Sequence, residues 1–326
     1  MAEPVSTTPA VLVLTGTTAS GKTEVSIPLA LALQAEIVNA DSRQVFRELV
    51  IGSAPPDQEQ LDAIKHHFVS TKSLSDRWTA GDFAKAAREV ITSRAAEGKR
   101  TLVVGGSMLY IKALIDGLYA TENEPHINYT VLRKEWDDRG SDVMYEELQR
   151  IDPEVAAKTE PTDHHRALRA IGHFRMTGQK LSDLRRNEAE PLKESFKLYF
   201  LYGDRAHTYE RVNHRAELML KHGLVAEVHD IMRQGFNETN TNALRTHGYQ
   251  EVFPHLRGEC DAAAMLASIQ QAVRNYVKRQ LTWYRREPRT LWVFRSFDES
   301  PELIAARILR DFTGEEQIVQ KEKPAG

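Results

Sequence analysis

The chain has 326 residues, of which 41% are apolar and 27% charged, with a net charge of −3 at pH 7 and one cysteine. That length accommodates two domains or one domain with an insertion. The lone Cys260 excludes an internal disulfide framework and a cysteine-based zinc site, and the mild acidity gives no global nucleic-acid signal. Met1–Ala10 lacks the charged-then-apolar layout of a signal peptide and no run approaches membrane-spanning length, so a cytoplasmic protein is expected.

The apolar run Val11–Leu14 predicts a buried strand, and it leads into Gly16-Thr17-Thr18-Ala19-Ser20-Gly21-Lys22-Thr23, a match to G-x-x-x-x-G-K-T. Such a loop lets backbone N–H groups close around a polyphosphate, while Lys22 neutralises it and the Thr23 hydroxyl suits Mg²⁺. A helix over Glu24–Leu33 would add its dipole to the anion site. Strands follow at Glu36–Ala40 and near His67–Ser70, then a helix over Asp82–Ala96, a strand at Thr101–Val104 stopped by Gly105-Gly106, and a helix from Met108. This alternation predicts an α/β fold, a P-loop NTPase-like parallel sheet flanked by helices.

After Gly117 the pattern changes. Thr121–Pro125 is polar and proline-broken, and short helices are expected at Tyr145–Leu148, Pro153–Ala157 and Arg166–Phe174. Residues 120–192 therefore read as a mainly helical insertion within a catalytic core of 1–119 plus 193–326. A strand returns at Leu198–Tyr202, followed by helices over Thr208–His222, Val225–Arg233 and Ala262–Arg285, a strand at Thr290–Phe294, and a charged, frayed tail over Glu315–Gly326.

Asp41 ends the second strand, where ligands of an α/β sheet sit, so its carboxylate can serve as a general base. The alternative is that Asp41-Ser42 caps a helix over Arg43–Phe46, and both roles are compatible. P-loop hydrolases hold Mg²⁺ with an acid ending a later strand. Here Gly105-Gly106-Ser107 follows that strand and the next acid is Asp116, which favours a transferase over an ATPase or GTPase. Arg274, Lys278, Arg279, Arg285 and Arg286 lie off an apolar stripe of Val273, Tyr276, Val277, Leu281 and Tyr284 and read as a solvated face. In the insertion, Arg166, Arg169, Arg175, Lys180, Arg185 and Arg186 cluster with histidines and could neutralise nucleic-acid phosphates. The adjacent pairs His66-His67 and His164-His165 are poor metal ligands, since neighbours do not share a face.

GTTASGKT, NADSRQVF with IGSAPP after it, HHF, VGGSMLYIKAL, DHHRALRAI with TGQKLS, RTHGYQE and VKRQLTWYRR occur in this order over residues 11–286. Together they resemble the tRNA dimethylallyltransferase (tRNA isopentenyltransferase) family. The resemblance implies transfer of a dimethylallyl group from its diphosphate to N6 of the adenosine 3′ to the anticodon, in tRNAs reading codons that begin with U. It implies Mg²⁺ at Thr23, and Gly16, Thr17, Thr18, Ala19, Ser20, Gly21, Lys22 and Thr23 around the prenyl donor's diphosphate rather than ATP. Asp41 would be the general base, Ser107 would place the reacting groups in the position of a usual threonine, and Arg211 and Arg215 would cover the diphosphate. Lys22 and Arg211 would stabilise the leaving group. The segments Asp41, Ser42, Arg43 and Gln44; Arg166, Ala167, Leu168, Arg169 and Ala170; and Leu244, Arg245, Thr246, His247, Gly248 and Tyr249, with Ser107, would meet the tRNA anticodon stem-loop.

The sequence departs from that pattern at Phe46 (usually Tyr), at Ser107, at Gly172 (usually Glu) and at His247 (usually aliphatic). The zinc finger appended to many eukaryotic members is absent, so the resemblance points to the bacterial type, expected to act as a monomer without a membrane. An adenylate isopentenyltransferase, a small-molecule P-loop kinase and a non-catalytic RNA-binding P-loop protein are the competing readings.

Overall fold

The computed structural model describes residues 9–118, 127–183 and 190–317; Thr121–Pro125, Arg185, Arg186 and the end of the charged tail lie outside them. By packing, the chain divides into two compact units, one within 1–111 and 193–326 and the other within 112–192.

The larger unit is built on β1 (Val11–Gly16), whose residues are all buried, as a strand covered by helices on both faces requires. It is followed by α1 (Lys22–Leu33), β2 (Glu36–Asn39), α2 (Gln58–Ala63), β3 (His66–His67), α3 (Ala80–Ala96), β4 (Thr101–Val104) and α4 (Met108–Asp116). After the smaller unit come β5 (Phe196–Gly203), a helix over Arg205–Lys221, another over Leu224–Arg233, a short one over Val252–Leu256, a long one over Ala262–Arg285, β6 (Thr290–Arg295) and a last helix over Pro301–Thr313. The six strands run β3-β2-β4-β1-β5-β6, every neighbouring pair parallel. The fold is thus the expected P-loop NTPase-like parallel sheet, with β1 and its loop at the centre and ligand space at the strands' carboxyl ends.

Side-chain alternation explains the layers. Leu12 and Leu14 join Val25, Leu29, Tyr199, Leu201, Ile304, Ile308 and Phe312 in one core, so α1 and the last helix cover that face. That last helix was not anticipated, although Ser300 caps it, Pro301 opens it and Gly314 closes it in the left-handed conformation. A second core joins Val45, Phe46, Leu49, Val212, Val228, Leu244, Val252, Ile269, Val273 and Val277, and it fixes the segments that wall the cavity described below. The third strand is shorter than expected, because Phe68 and Ser70 take φ of 64° and 50°, outside extended geometry.

The smaller unit comprises α5 (Tyr129–Arg139), unforeseen, α6 (Ser141–Ile151), α7 (Pro153–Ala156) and α8 (His164–Thr177) around Met144, Leu148, Val155, Leu168 and Ile171. Gly172 stands where a Cβ would lie 2.6 Å from Ile127 Cγ2 and 2.8 Å from Leu132 Cδ1, so the missing side chain makes room for this core. Arg175, expected to neutralise nucleic-acid phosphates, is engaged by carboxylates of its own unit. Its guanidinium lies 2.6 Å from Glu135 and 2.6 Å from Glu147, and with Arg139 it ties three helices together. The Arg175 hydrogen bonds hold the Glu135 carboxyl down at about 2.

Among the described residues no helix is long and apolar enough to cross a membrane.

Candidate active site

The phosphate-type loop joins β1 to α1, and its geometry is narrower than the motif suggests. Gly21 caps α1 with φ 89°, a left-handed conformation that selects glycine, and the Arg295 guanidinium occupies the space a Cβ would take. The Thr17 N–H donates to Leu201 O (3.1 Å), the Ser20 N–H to Thr17 O (3.1 Å) and the Thr18 N–H to Gln280 Oε1 (2.9 Å). These loop donors face the protein rather than a polyphosphate, which corrects the expectation of a cradle made by all of them. The N–H groups of Ala19 and Gly21, and those of Lys22, Thr23 and Glu24 in the first turn, have no acceptor among the described residues and are the donors open to an anion. The Thr17 and Ser20 hydroxyls are buried without a hydrogen-bond partner among the described residues, though neither residue lines the cavity.

Lys22 Nζ rests on its own loop, donating to Gly16 O (3.2 Å) and Thr17 O (2.8 Å). Burial, helped by the nearby Arg215 charge and opposed by Asp41, lowers this ammonium to about 8. Arg211 and Arg215 lie one turn apart on the helix Arg205–Lys221, and therefore share a face. Arg211 is 3.5 Å from Glu24, whose other oxygen is 3.0 Å from Arg295; Arg295 also donates to Ser20 O at 3.0 Å. Arg215 lines the cavity, and burial lowers its pKa against the pull of Asp41.

Asp41 sits just past β2. Its Oδ1 accepts the Arg43 N–H (2.8 Å) and the Gln44 N–H (3.3 Å), so it caps a turn rather than the helix expected over Arg43–Phe46. Oδ2 makes no hydrogen bond with a described residue and is left for the cavity that Asp41 lines. Ser107 Oγ accepts the Ser42 N–H at 2.9 Å and donates to Ser42 Oγ at 3.1 Å, which holds the glycine turn after β4 against the Asp41 turn.

The long helix supplies residues that sequence reasoning misplaced or missed. Its buried stripe is Val273, Val277, Gln280 and Tyr284, whereas Tyr276 and Arg279 line the cavity. Tyr276 therefore does not belong to the core stripe, and Arg279 is not simply a solvated charge. The Tyr276 hydroxyl donates to Gly106 O at 2.9 Å. Gln280, fully buried, accepts from the Thr18 N–H and donates to Gly106 O at 3.1 Å, linking the phosphate loop to the turn that carries Ser107. A polar residue at i+4 from an aromatic on a basic helix was the available signal. Gln280→Leu leaves the Thr18 N–H unpaired, while Gly106 O keeps the Tyr276 hydroxyl, and is expected to cost about 1–3 kcal/mol, read as a fall in the denaturant midpoint.

The segment Arg245–Gln250 and the loop Gly52–Ala54 complete a cavity of about 1100 Å³. Lys22, Arg43, Arg211, Arg215, Arg245 and Arg279 line it against Glu24 and Asp41, so it favours an anionic ligand. Arg245 is also engaged with the backbone carbonyls of Glu238 (2.7 Å) and Thr239. The His247 ring lies 4.4 Å from that of Tyr276, and burial together with Arg43, Arg279 and Arg215 lowers it to about 4, a neutral imidazole at neutral pH. Thr246, Gly248 and Tyr249 also line the cavity, but Leu244 is buried in the core beneath it. Ala167, Leu168 and Ala170 are likewise buried in the core of the smaller unit, which leaves Arg166 exposed and Arg169 half-buried on that helix. Their side chains are closed to a nucleic acid, because with Ile171 they form the apolar stripe by which α8 enters that core.

Among the described residues no group of three or more His, Cys, Asp or Glu could hold a metal ion. His67 bonds Glu36 at 2.7 Å, and the His164 and His165 rings lie 4.1 Å apart, tilted by 36°. The Thr23 hydroxyl in the cavity is a hard oxygen donor, the kind Mg²⁺ takes alongside substrate phosphates and retained waters, so the donor set fits that ion.

The chain is similar to the tRNA dimethylallyltransferase of Salinibacter ruber, 39% identical over 292 residues and covering 90% of each chain. The solved structure of the full-length tRNA isopentenylpyrophosphate transferase of Bacillus halodurans matches with a TM-score of 0.65 at 27% identity, over 94% of this chain and 97% of that one. A eukaryotic dimethylallyltransferase acting on tRNA shares the fold, with a TM-score of 0.77 at 23% identity, covering 96% of this chain and 81% of that one. The IPP transferase family model matches residues 44–287, from the Asp41 turn through the helix bearing Gln280, and the chain belongs to that family.

Proposed function

We propose that this chain transfers the dimethylallyl group of dimethylallyl diphosphate to N6 of an adenosine in tRNA, the one 3′ to the anticodon in tRNAs reading codons that begin with U. The observation that carries the reading is one basic cavity in which the open carboxylate oxygen of Asp41 and the cations Lys22 and Arg215 line the same space. N6 attacks the allylic C1, the C1–O bond breaks and diphosphate leaves, while the N6 proton passes to Asp41. An exocyclic amine is a weak nucleophile and needs both positioning and a base. The diphosphate meets the first-turn N–H groups of α1, Lys22, Arg211 and Arg215, which stabilise the charge it gains on leaving. Thr23 would hold Mg²⁺, which when bound neutralises the diphosphate. Ser107, Gln44, Arg43 and His247 face the acceptor side. Arg166, Arg169 and Lys180 on the smaller unit, residues 112–192, meet the flanking tRNA phosphates, and the base is unstacked from its loop to enter. ATP takes no part, and the protein works in the cytoplasm as a monomer.

Labelled dimethylallyl diphosphate, offered with tRNA, with AMP or with no acceptor, tests this reading. Label on N6 of a tRNA adenosine supports it. Label confined to AMP replaces it with an adenylate isopentenyltransferase, and ATP turnover without prenyl transfer replaces it with a kinase.

A further inference from the structure

Glu227 lies in the first turn of the helix Leu224–Arg233 and does not line the cavity. Its carboxylate nonetheless gathers four donors from two separate segments. Oε2 accepts the N–H groups of Val50 (3.1 Å) and Ile51 (2.7 Å); Oε1 accepts the N–H of Gly52 (3.3 Å) and the hydroxyl of Tyr249 (2.7 Å). A carboxylate offers about four lone-pair sites, and these four bonds use them. Three successive backbone N–H groups on one anion form an anion nest, here filled by the protein's own side chain.

The two segments it joins are both walls of the cavity. The Gly52–Ala54 loop is tied back to the Asp41 turn by Gln44, whose Nε2 donates to Ser53 O (3.2 Å) and Ala54 O (3.0 Å). Tyr249 ends the segment that presents His247, and it packs so closely that a Cβ on Gly52 would fall 2.4 Å from its ring. Glu251 holds the same segment from below, accepting the Gly248 N–H at 2.7 Å. The phosphate-loop side, from Gly16 to Thr23, makes no hydrogen bond to Glu227.

We propose that Glu227 is a positioning residue for the nucleic-acid acceptor: it sets the spacing of the Asp41–Gln44 turn and the His247–Tyr249 segment, the two sides between which the base enters. This rests on the reading that the acceptor is tRNA and meets those segments. Truncation or neutralisation is then felt by the acceptor and not by the prenyl donor, because the donor's contacts come from β1, α1 and the helix Arg205–Lys221, and Glu227 hydrogen-bonds the side chains and loops of none of them.

Glu227→Gln keeps the shape but turns an amide N–H₂ toward at least one of the four donors. The expected result is a rise in KM for tRNA of about tenfold or more, with KM for dimethylallyl diphosphate within about twofold of the parent. Tyr249→Phe removes one of the four bonds and leaves the nest intact, so the same split is expected at about threefold. If Glu227→Gln does not fold, Tyr249→Phe decides alone. Equal changes in both KM values, or a lowered melting temperature with both unchanged, would overturn the positioning role and leave Glu227 a structural brace. A parent enzyme that prenylates no tRNA removes the functional reading itself, and this role with it. A parent active on tRNA whose variants lack the split removes only this role.

Discussion

Asp41→Asn is expected to lower kcat for prenyl transfer by a factor of about 100 or more, some 2.7 kcal/mol in barrier, while tRNA affinity stays within about threefold. The asparagine is the informative replacement because its carbonyl can still accept the Arg43 and Gln44 N–H groups that hold the turn. What it removes is the basicity of the outer oxygen, the only feature the base role needs. Asp41→Ala removes both, so its larger loss would mix chemistry with a loosened acceptor wall. Single-turnover prenyl transfer with bound donor and tRNA separates the two. Unchanged turnover in Asp41→Asn would take the base role from this residue.

Lys22→Met is expected to lower kcat by a factor of about 100–1,000, since it removes the buried charge that the proposed mechanism sets against the leaving diphosphate. The same lysine sets an alkaline limit. Its ammonium is lowered to about 8, so in the free enzyme kcat/KM for the donor falls about tenfold per pH unit above that value. Bound diphosphate opposes deprotonation, so the limb in kcat lies further to the alkaline side. Stability moves the other way. From about 8 to the ordinary 10.5 the folded protein binds fewer protons at this site than the unfolded chain, so the contribution of Lys22 to stability rises with pH across that window. A donor kcat/KM that is flat to pH 10, or one that falls only where the protein unfolds, would separate Lys22 from the leaving group.

Much of the site was legible because its chemistry is local in sequence. The loop Gly16–Thr23, the strand before it and the helix after it form one continuous supersecondary unit, and Asp41 stands at the end of the next strand. Period-2 and period-3.6 patterns placed the other strands and long helices within a few residues, but missed the helices Tyr129–Arg139 and Pro301–Thr313 and overran the third strand, where φ reversed at Phe68 and Ser70. Exposure was harder to read. Ala167, Leu168 and Ala170 carry the same spacing whether a helix stripe faces a ligand or a core, and only the packing of α8 against its neighbours separates the two. Arg175 is cationic in either role, and the carboxylates that engage it come from two other helices.

The amino-acid sequence by itself determined the α/β class, the G-x-x-x-x-G-K-T loop between a strand and a helix, and the carboxylate just past the second strand, because each is written in a local pattern of residues. The sheet itself pairs strands as far apart as Val11 and Phe196. The tertiary structure alone decided which loop N–H groups stay open, and that Gln280 ties Thr18 to Gly106 across 262 and 174 positions of chain. It also decided that Tyr276 and Arg279 face the cavity and that Glu227 joins two of its walls. Hydrogen bonds between distant segments form only once the sheet and its helices have packed, so their partners leave no periodicity in the sequence to read.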